Sequence, residues 1–295
     1  MRLSTSTNIL YERPGKRTVP LEETLVRVSK AGFRVFDMCF YDWVGPESPF
    51  LSPKWEYWCE KIREKSEQLG VEFGQCHAHF FSFLDEQLSE EQWEYEYRLV
   101  VRSMDFCSRL GSRVCMTHPD TVKGLTEYRK RSLEANRRYF NKLLEDTEKL
   151  GISIAVENMC DYSVSPKRKY TSYPEELVEL VDSIGSSRLG ICWDFEHAEI
   201  MEQDQVSALE YIGKRLIATH VSDTHSKTNA DLMHVMPYFG DMDWPSIMRT
   251  LKSIEYKGDF SFEAHNFANR LPDEVLDTAL KLSYEIGEHL ISLIC

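Results

Sequence analysis

Residues 188–197 read RLGICWDFEH. A short, nearly unbroken apolar run, Leu189–Trp193, ends in Asp194, and His197 follows three positions later. An apolar run this short suits a strand buried on both faces. The acid at its end is where a parallel strand delivers a side chain to the face that does chemistry. Working outward, the same pattern recurs. VEFGQC (71–76) leads to His77 and His79, and RVCMT (113–117) leads to His118. ISIAVEN (152–158) carries Glu157, RLIAT (215–219) leads to His220, Asp223 and His225, and DFSFEAH (259–265) carries Glu263 and His265. Of the nine histidines, only His234 and His289 lie away from such an end.

Strands are predicted at 2–8, 33–40, 71–77, 113–118, 152–158, 189–194, 216–221 and 259–264. Amphipathic helical patterns fall between them at 20–31, 53–69, 89–110, 125–150, 173–184, 204–213 and 245–254, with a last one at 272–293. Strands alternating with helices imply parallel βαβ crossovers. Eight such units close an α/β barrel of the (β/α)8, or TIM, type, expected as one domain over residues 1–295. Gly32, Gly70, Gly111 and Gly151 each follow a helical run and precede a strand, as C-terminal caps should. No linker or shift in composition marks a second domain.

The chain of 295 residues is 42% hydrophobic and 28% charged, enough for a large core, and its formal net charge is −13. A surface this acidic repels phosphate backbones and argues against nucleic acid as partner. The eight cysteines form no CxxC pair, and several sit inside apolar runs as small hydrophobes. The start MRLSTSTNIL does not read as a signal peptide. No apolar run is long enough for a membrane span. A cytoplasmic protein is expected; homo-oligomerisation is left open.

Glu157, Asp194, His220 and Glu263 end the fifth to eighth strands, consecutive staves of the expected barrel. Each acid alone reads as a capped or paired loop residue. Neighbouring strands lie about 4.8 Å apart, so the four side chains together can meet at one divalent ion. Three carboxylates and an imidazole favour Mn²⁺, with Mg²⁺, Co²⁺ and Zn²⁺ as alternatives. His197 reads as a substrate-hydroxyl donor or further ligand, against the plainer reading of a helix-start histidine meeting Asp194. His77 and His118 end strands across the barrel mouth. His234 sits in the long loop HVMPYFGDMDW (234–244), placed to reach back over the site. His79 and His265 are weaker candidates, and His225 and His289 read as surface residues. Asp243 reads as a helix N-cap, and Glu134, Arg137 and Arg138 as a solvated face. The segments 40–52, 159–172 and 223–244 should cover the site, with Trp43, Tyr162 and Tyr238 either stacking on a substrate or packing within their loops. The basic runs SPKRKY (165–170, with Lys167, Arg168 and Lys169) and RPGKR (13–17) read first as solvated charge and second as holds for a substrate phosphate.

AVEN with Glu157, WDFEH with Asp194 and His197, THVSD with His220, and FEAH with Glu263 together resemble the xylose-isomerase-like TIM barrels. The likeness is to the sugar phosphate isomerase/epimerase group, which also holds tagatose 3-epimerase-like enzymes, inosose dehydratases and endonuclease IV. It extends over nearly the whole chain. The resemblance implies that Glu157, Asp194, His220 and Glu263 bind metal and that Glu157 and Glu263 are also the catalytic acid/base pair. It implies a substrate-binding role for His197. It puts His77, His118 and His234 where endonuclease IV holds further zinc ions. Ser226 stands where tagatose-epimerase-like enzymes have arginine. The spacing Asp231-Leu-Met-His234, with Tyr238 in place of a glycine, departs from endonuclease IV. The expected function is a metal-dependent sugar or sugar phosphate isomerase/epimerase working through an enediolate on a sugar or polyol. An inosose-type dehydratase is the alternative, and an endonuclease IV-like hydrolase stands behind both.

Overall fold

A computed structural model describes residues 1–14, 17–123, 127–161 and 168–294. Eight parallel strands close a barrel: β1 (Arg2–Ser6), β2 (Val35–Cys39), β3 (Glu72–His77), β4 (Val114–Thr117), β5 (Ser153–Glu157), β6 (Leu189–Asp194), β7 (Leu216–Val221) and β8 (Asp259–Phe262). Each pairs with its neighbours in sequence, and β8 closes on β1 with Arg2 opposite Asp259. The helices are α1 (Leu21–Ala31), α2 (Trp55–Leu69), α3 (Glu90–Arg109), α4 (Tyr128–Asp146), α5 (Pro174–Ile184), α6 (Phe195–Ile200), α7 (Gln205–Ile212), α8 (Trp244–Ser253), α9 (His265–Ala268) and α10 (Leu276–Ser292). Every barrel strand lies inside its predicted range. The short α6 and α9 were not expected, since one or two turns leave no helical period to read. Glu12–Arg13 and Arg17–Thr18 add a small antiparallel pair after β1.

The outer helices bury one stripe each against the barrel. In α8, Trp244, Ile247, Met248 and Leu251 are buried, an i, i+3, i+4, i+7 set. Asp243 caps this helix by accepting from the Ser246 N–H at 3.2 Å. Leu25 and Val28 of α1 are fully buried, and each stabilises the fold by about 1.5–3 kcal/mol through area removed from water. Gly70 and Gly151 take positive φ (62° and 63°) to turn the chain out of a helix into the next strand.

At the barrel floor, Arg2 bonds Asp259 through two nitrogens at 2.7 and 3.0 Å. Gly74 of β3 passes beneath: a Cβ there would sit 1.7 Å from Asp259 Oδ2.

Alternation along the strands decides what fills the barrel. Met116, Ala155, Cys192 and Ala218 form a separate apolar cluster, all fully buried. Two residues further along their strands stand His118, Glu157, Asp194 and His220. The apolar cluster is therefore the floor of the polar one.

Candidate active site

Because successive inward positions lie two residues apart, the ends of β5, β6 and β7 and the residue following β8 aim Glu157, Asp194, His220 and Glu263 into the barrel mouth. Each of the four offers a ligand atom within 4.8 Å of the other three. His220 Nδ1 lies 2.8 Å from Glu157 Oε1 and 3.0 Å from Glu263 Oε2. Its Nε2 lies 3.3 Å from Asp37 Oδ2. Asp37 is fully buried on β2, and the Gln75 amide donates to it at 2.7 Å. Asp194 accepts the His197 N–H at 2.8 Å through Oδ1, capping α6. Its backbone N–H donates to Asn158 Oδ1 at 2.6 Å, and Asn158 Nδ2 donates to the Asp194 carbonyl at 2.9 Å. The second carboxylate oxygen, Oδ2, is buried and accepts no hydrogen bond. A buried carboxylate oxygen left this way calls for a cation. Three carboxylates, one imidazole and this oxygen fit a hard or borderline divalent metal.

His77 and His118 adjoin the quartet. Their Nε2 atoms lie 3.6 and 3.1 Å from Glu157 Oε2 and 3.2 Å from each other. With Glu157 and His220, His77 forms a second grouping of suitable ligand atoms. His197 Nδ1 bonds the Asn158 carbonyl at 2.8 Å and stands 3.9 Å from both Glu157 and Asp194. His234 lines the cavity over the quartet with φ +51°, and its ring stacks on His265 at 4.2 Å.

The electrostatics follow from burial and proximity. Burial opposes charge on Glu157 and Glu263, but His220 outweighs it, with help from His118 at Glu157. Both carboxyls are held well below the ordinary range. Burial also opposes charge on His220, yet Glu263 and Glu157 raise it well above the usual imidazole value. At Asp194 burial outweighs the attraction of His197, 3.9 Å away, and pushes it up to about 6. Burial pushes His118 down to about 4 and, with His234 beside it, His265 down to about 3. Glu157 and Glu263 thus stand ionised beside a neutral His118.

Several expectations need correction. Trp43 does not line the cavity: its ring packs on Tyr11 (5.4 Å) and Trp58 (5.0 Å), and Tyr41, Asp42 and Val44 face the opening instead. Tyr238 is also outside the cavity, 45% exposed with φ +72°. Tyr162 and Lys167 lie outside the described residues. Arg168 is not solvated charge: it bonds the fully buried Glu176 at 2.6 Å and lies over the Tyr173 ring at 4.1 Å. Lys169 does face the cavity. Arg13 is buried and donates to the Ala268 carbonyl at 2.5 Å and the Leu271 carbonyl, so it ties loops rather than a phosphate. His79 turns away to Glu96 Oε2 at 2.5 Å, whereas His265 lines the cavity.

Two further residues carry weight that the sequence reading did not give them. Asp37 could have been noticed as a lone charge within the apolar run VFDMC. Asp223 organises the loop after β7, accepting from Thr224 N (2.9 Å), Tyr238 N (3.3 Å) and Trp244 Nε1 (2.8 Å). Gly240 is required beside it, because a Cβ would lie 2.0 Å from Asp223 Oδ1.

Residues 25–285 match the xylose isomerase-like TIM barrel family, and the chain belongs to it. It is 28% identical over 185 residues to the uncharacterized protein y4fM of Sinorhizobium fredii, a match spanning 60% of this chain and 55% of that protein, little more than half its length. A solved D-tagatose 3-epimerase-like protein superposes with a TM-score of 0.76 at 20% identity, covering 100% of this chain and 98% of that one. The IOLI protein, solved with a binding zinc atom, superposes with a TM-score of 0.77 at 18% identity, covering 100% and 99%. At these identities the structural likeness is one of fold.

Proposed function

We propose that this chain is a metal-dependent sugar isomerase or epimerase in which Glu157 and Glu263 are the acid/base pair. The observation that carries the reading is their convergence: two buried carboxylates, from β5 and from the residue after β8, meet one imidazole at 2.8 and 3.0 Å. The fold of a D-tagatose 3-epimerase-like protein and of a zinc-binding one supports it. Glu157, Asp194, His220 and Glu263 would hold the ion, Mn²⁺ first and Mg²⁺, Co²⁺ or Zn²⁺ as alternatives. When bound, the ion supplies Lewis-acid polarisation of the substrate carbonyl and stabilises negative charge on its oxygen.

The chain's own residues do the rest. One glutamate takes the proton from the carbon beside the carbonyl, leaving an enediolate. The other, after taking a proton from a substrate hydroxyl or from solvent, delivers it to the opposite face of that carbon or to the neighbouring carbon. His197, anchored by Asn158, orients a substrate hydroxyl, and His77, His118 and His234 bind others. Asp37 steadies the far edge of the His220 ring, as carboxylates do behind ligating histidines. Seven buried free cysteines suit a reducing, cytoplasmic setting. Among the described residues no helix is long and apolar enough to cross a membrane.

A lyase reading, an inosose-type dehydratase, is favoured by one feature: His234 lies over the quartet, where it could donate a proton to a departing β-hydroxyl. The test is incubation of ketoses and inososes with the Mn²⁺-loaded protein in D₂O, followed by NMR. Deuterium entering one carbon without loss of water supports the isomerase or epimerase. Loss of water assigns the lyase. No exchange in any sugar, with metal confirmed present, overturns both.

A further inference from the structure

The cavity exceeds what its base requires. It measures about 750 Å³, toward the upper end of clefts that enclose drug-sized ligands. Two glutamates working beside one carbonyl need hold only a single sugar ring. The wall after β2 and β3 is aromatic. Tyr41 stacks on Phe80 with centroids 5.2 Å and planes 9° apart. Phe80 packs in turn on His118 at 4.0 Å and His77 at 5.5 Å. The stack therefore runs outward from the histidines beside Glu157 to the rim. Tyr41 ends it 58% exposed, though it lines the same cavity. A flat ring held so offers an apolar face, which the C–H face of a sugar or another ring can cover. Asn8 lines this cavity too. It is only 8% exposed, and its side-chain oxygen accepts no hydrogen bond among the described residues. A buried unpaired acceptor calls for a donor, and a sugar hydroxyl is one.

We infer that Tyr41, Phe80 and Asn8 form a subsite for a second ring. The substrate class is then a glycoside that carries a ketone on its reacting ring, or another ring-extended sugar with a free carbonyl, with its reacting unit over Glu157 and Glu263 and its second ring stacked on Tyr41. This rests on the sugar isomerase or epimerase reading.

The test is equilibrium binding to the full, Mn²⁺-loaded chain, measured by calorimetry. A panel of aldoses and ketoses is used, each compared with a disaccharide and with an O-phenyl ether that keep its carbonyl free. At least one ring-extended probe should bind about threefold to tenfold tighter than its parent sugar. Tyr41→Ala, at an exposed position, should remove that advantage and leave the parent's affinity unchanged. Tyr41→Trp should keep it. Equal affinities across the panel, no binding of any ring-extended probe, or an advantage that survives Tyr41→Ala would overturn the subsite. So would a smaller oligomer in Tyr41→Ala, which would give the ring to a contact between copies. A ring-extended advantage without deuterium exchange in any sugar would sink the proposed reaction alone. Exchange on free sugars without the advantage would sink the subsite alone.

Discussion

At the scale of single residues, the proposed chemistry separates holding an ion from moving a proton. Glutamine keeps the shape and one donor oxygen of glutamate but cannot accept a proton. Glu157→Gln and Glu263→Gln should each lose turnover by about a hundredfold or more, while metal analysis still finds ion bound through the remaining ligands. Near-normal turnover in both, with metal present, removes the glutamates from the acid/base role. Acidity gives an independent check. Burial raises Asp194 to about 6, so the metal-free protein is protonated there below that pH. Metal must displace that proton. His220, raised well above the usual imidazole value, must lose its proton too. Apparent affinity should therefore already fall about tenfold per unit as pH drops toward 6, and steepen to about a hundredfold per unit below about 6, where Asp194 is protonated as well. Metal titrations from pH 5 to 8 read this directly. A profile with no steepening near pH 6 would show that Asp194 does not ligate.

At the scale of elements, the strands were legible because a doubly buried strand writes itself as a mainly apolar run, and RLGICWDFEH and its repeats do so. The quartet was legible for the same reason: each member sits at the end of such a run. Trp43 and Tyr238 were misread because loops leave no period from which a side chain's direction can be told. Asp37 was passed over because its partners, Gln75 and His220, are distant in sequence. Residues 165–170 were read as basic and solvated, but Glu176 at the start of α5 holds the described end of that loop, accepting from Arg168 (2.6 Å) and the Thr171 N–H (2.8 Å) and pairing with Arg129 (2.8 Å). Glu176→Ala should cost about 2–3 kcal/mol in denaturant unfolding. That is below the full range for a buried pair, because Arg129 is 54% exposed. It should also release Lys169 from the cavity wall, seen as increased proteolysis near 168–172. Unchanged stability would mean the cluster is ornamental to the fold.

At the scale of the whole molecule, the barrel gathers four fully or nearly buried carboxylates, Asp37, Glu157, Asp194 and Glu263, around His220. An ion bound in the folded state alone should stabilise it by about 4 kcal/mol at a thousand times its Kd. A thermal scan should therefore show a higher Tm with Mn²⁺ and its reversal with chelator; an unmoved Tm would speak against a metal in the barrel. The closure of the barrel also has a consequence for synthesis. β8 is the stave that seals the ring, and it hydrogen-bonds to β1, more than 250 residues earlier. A nascent chain that has reached β7 presents two open edges and three of the four proposed ligands. Glu263 leaves the ribosome with the sealing stave itself. Capture of an ion by the full proposed quartet would thus come late in translation, together with the disappearance of the last exposed edges.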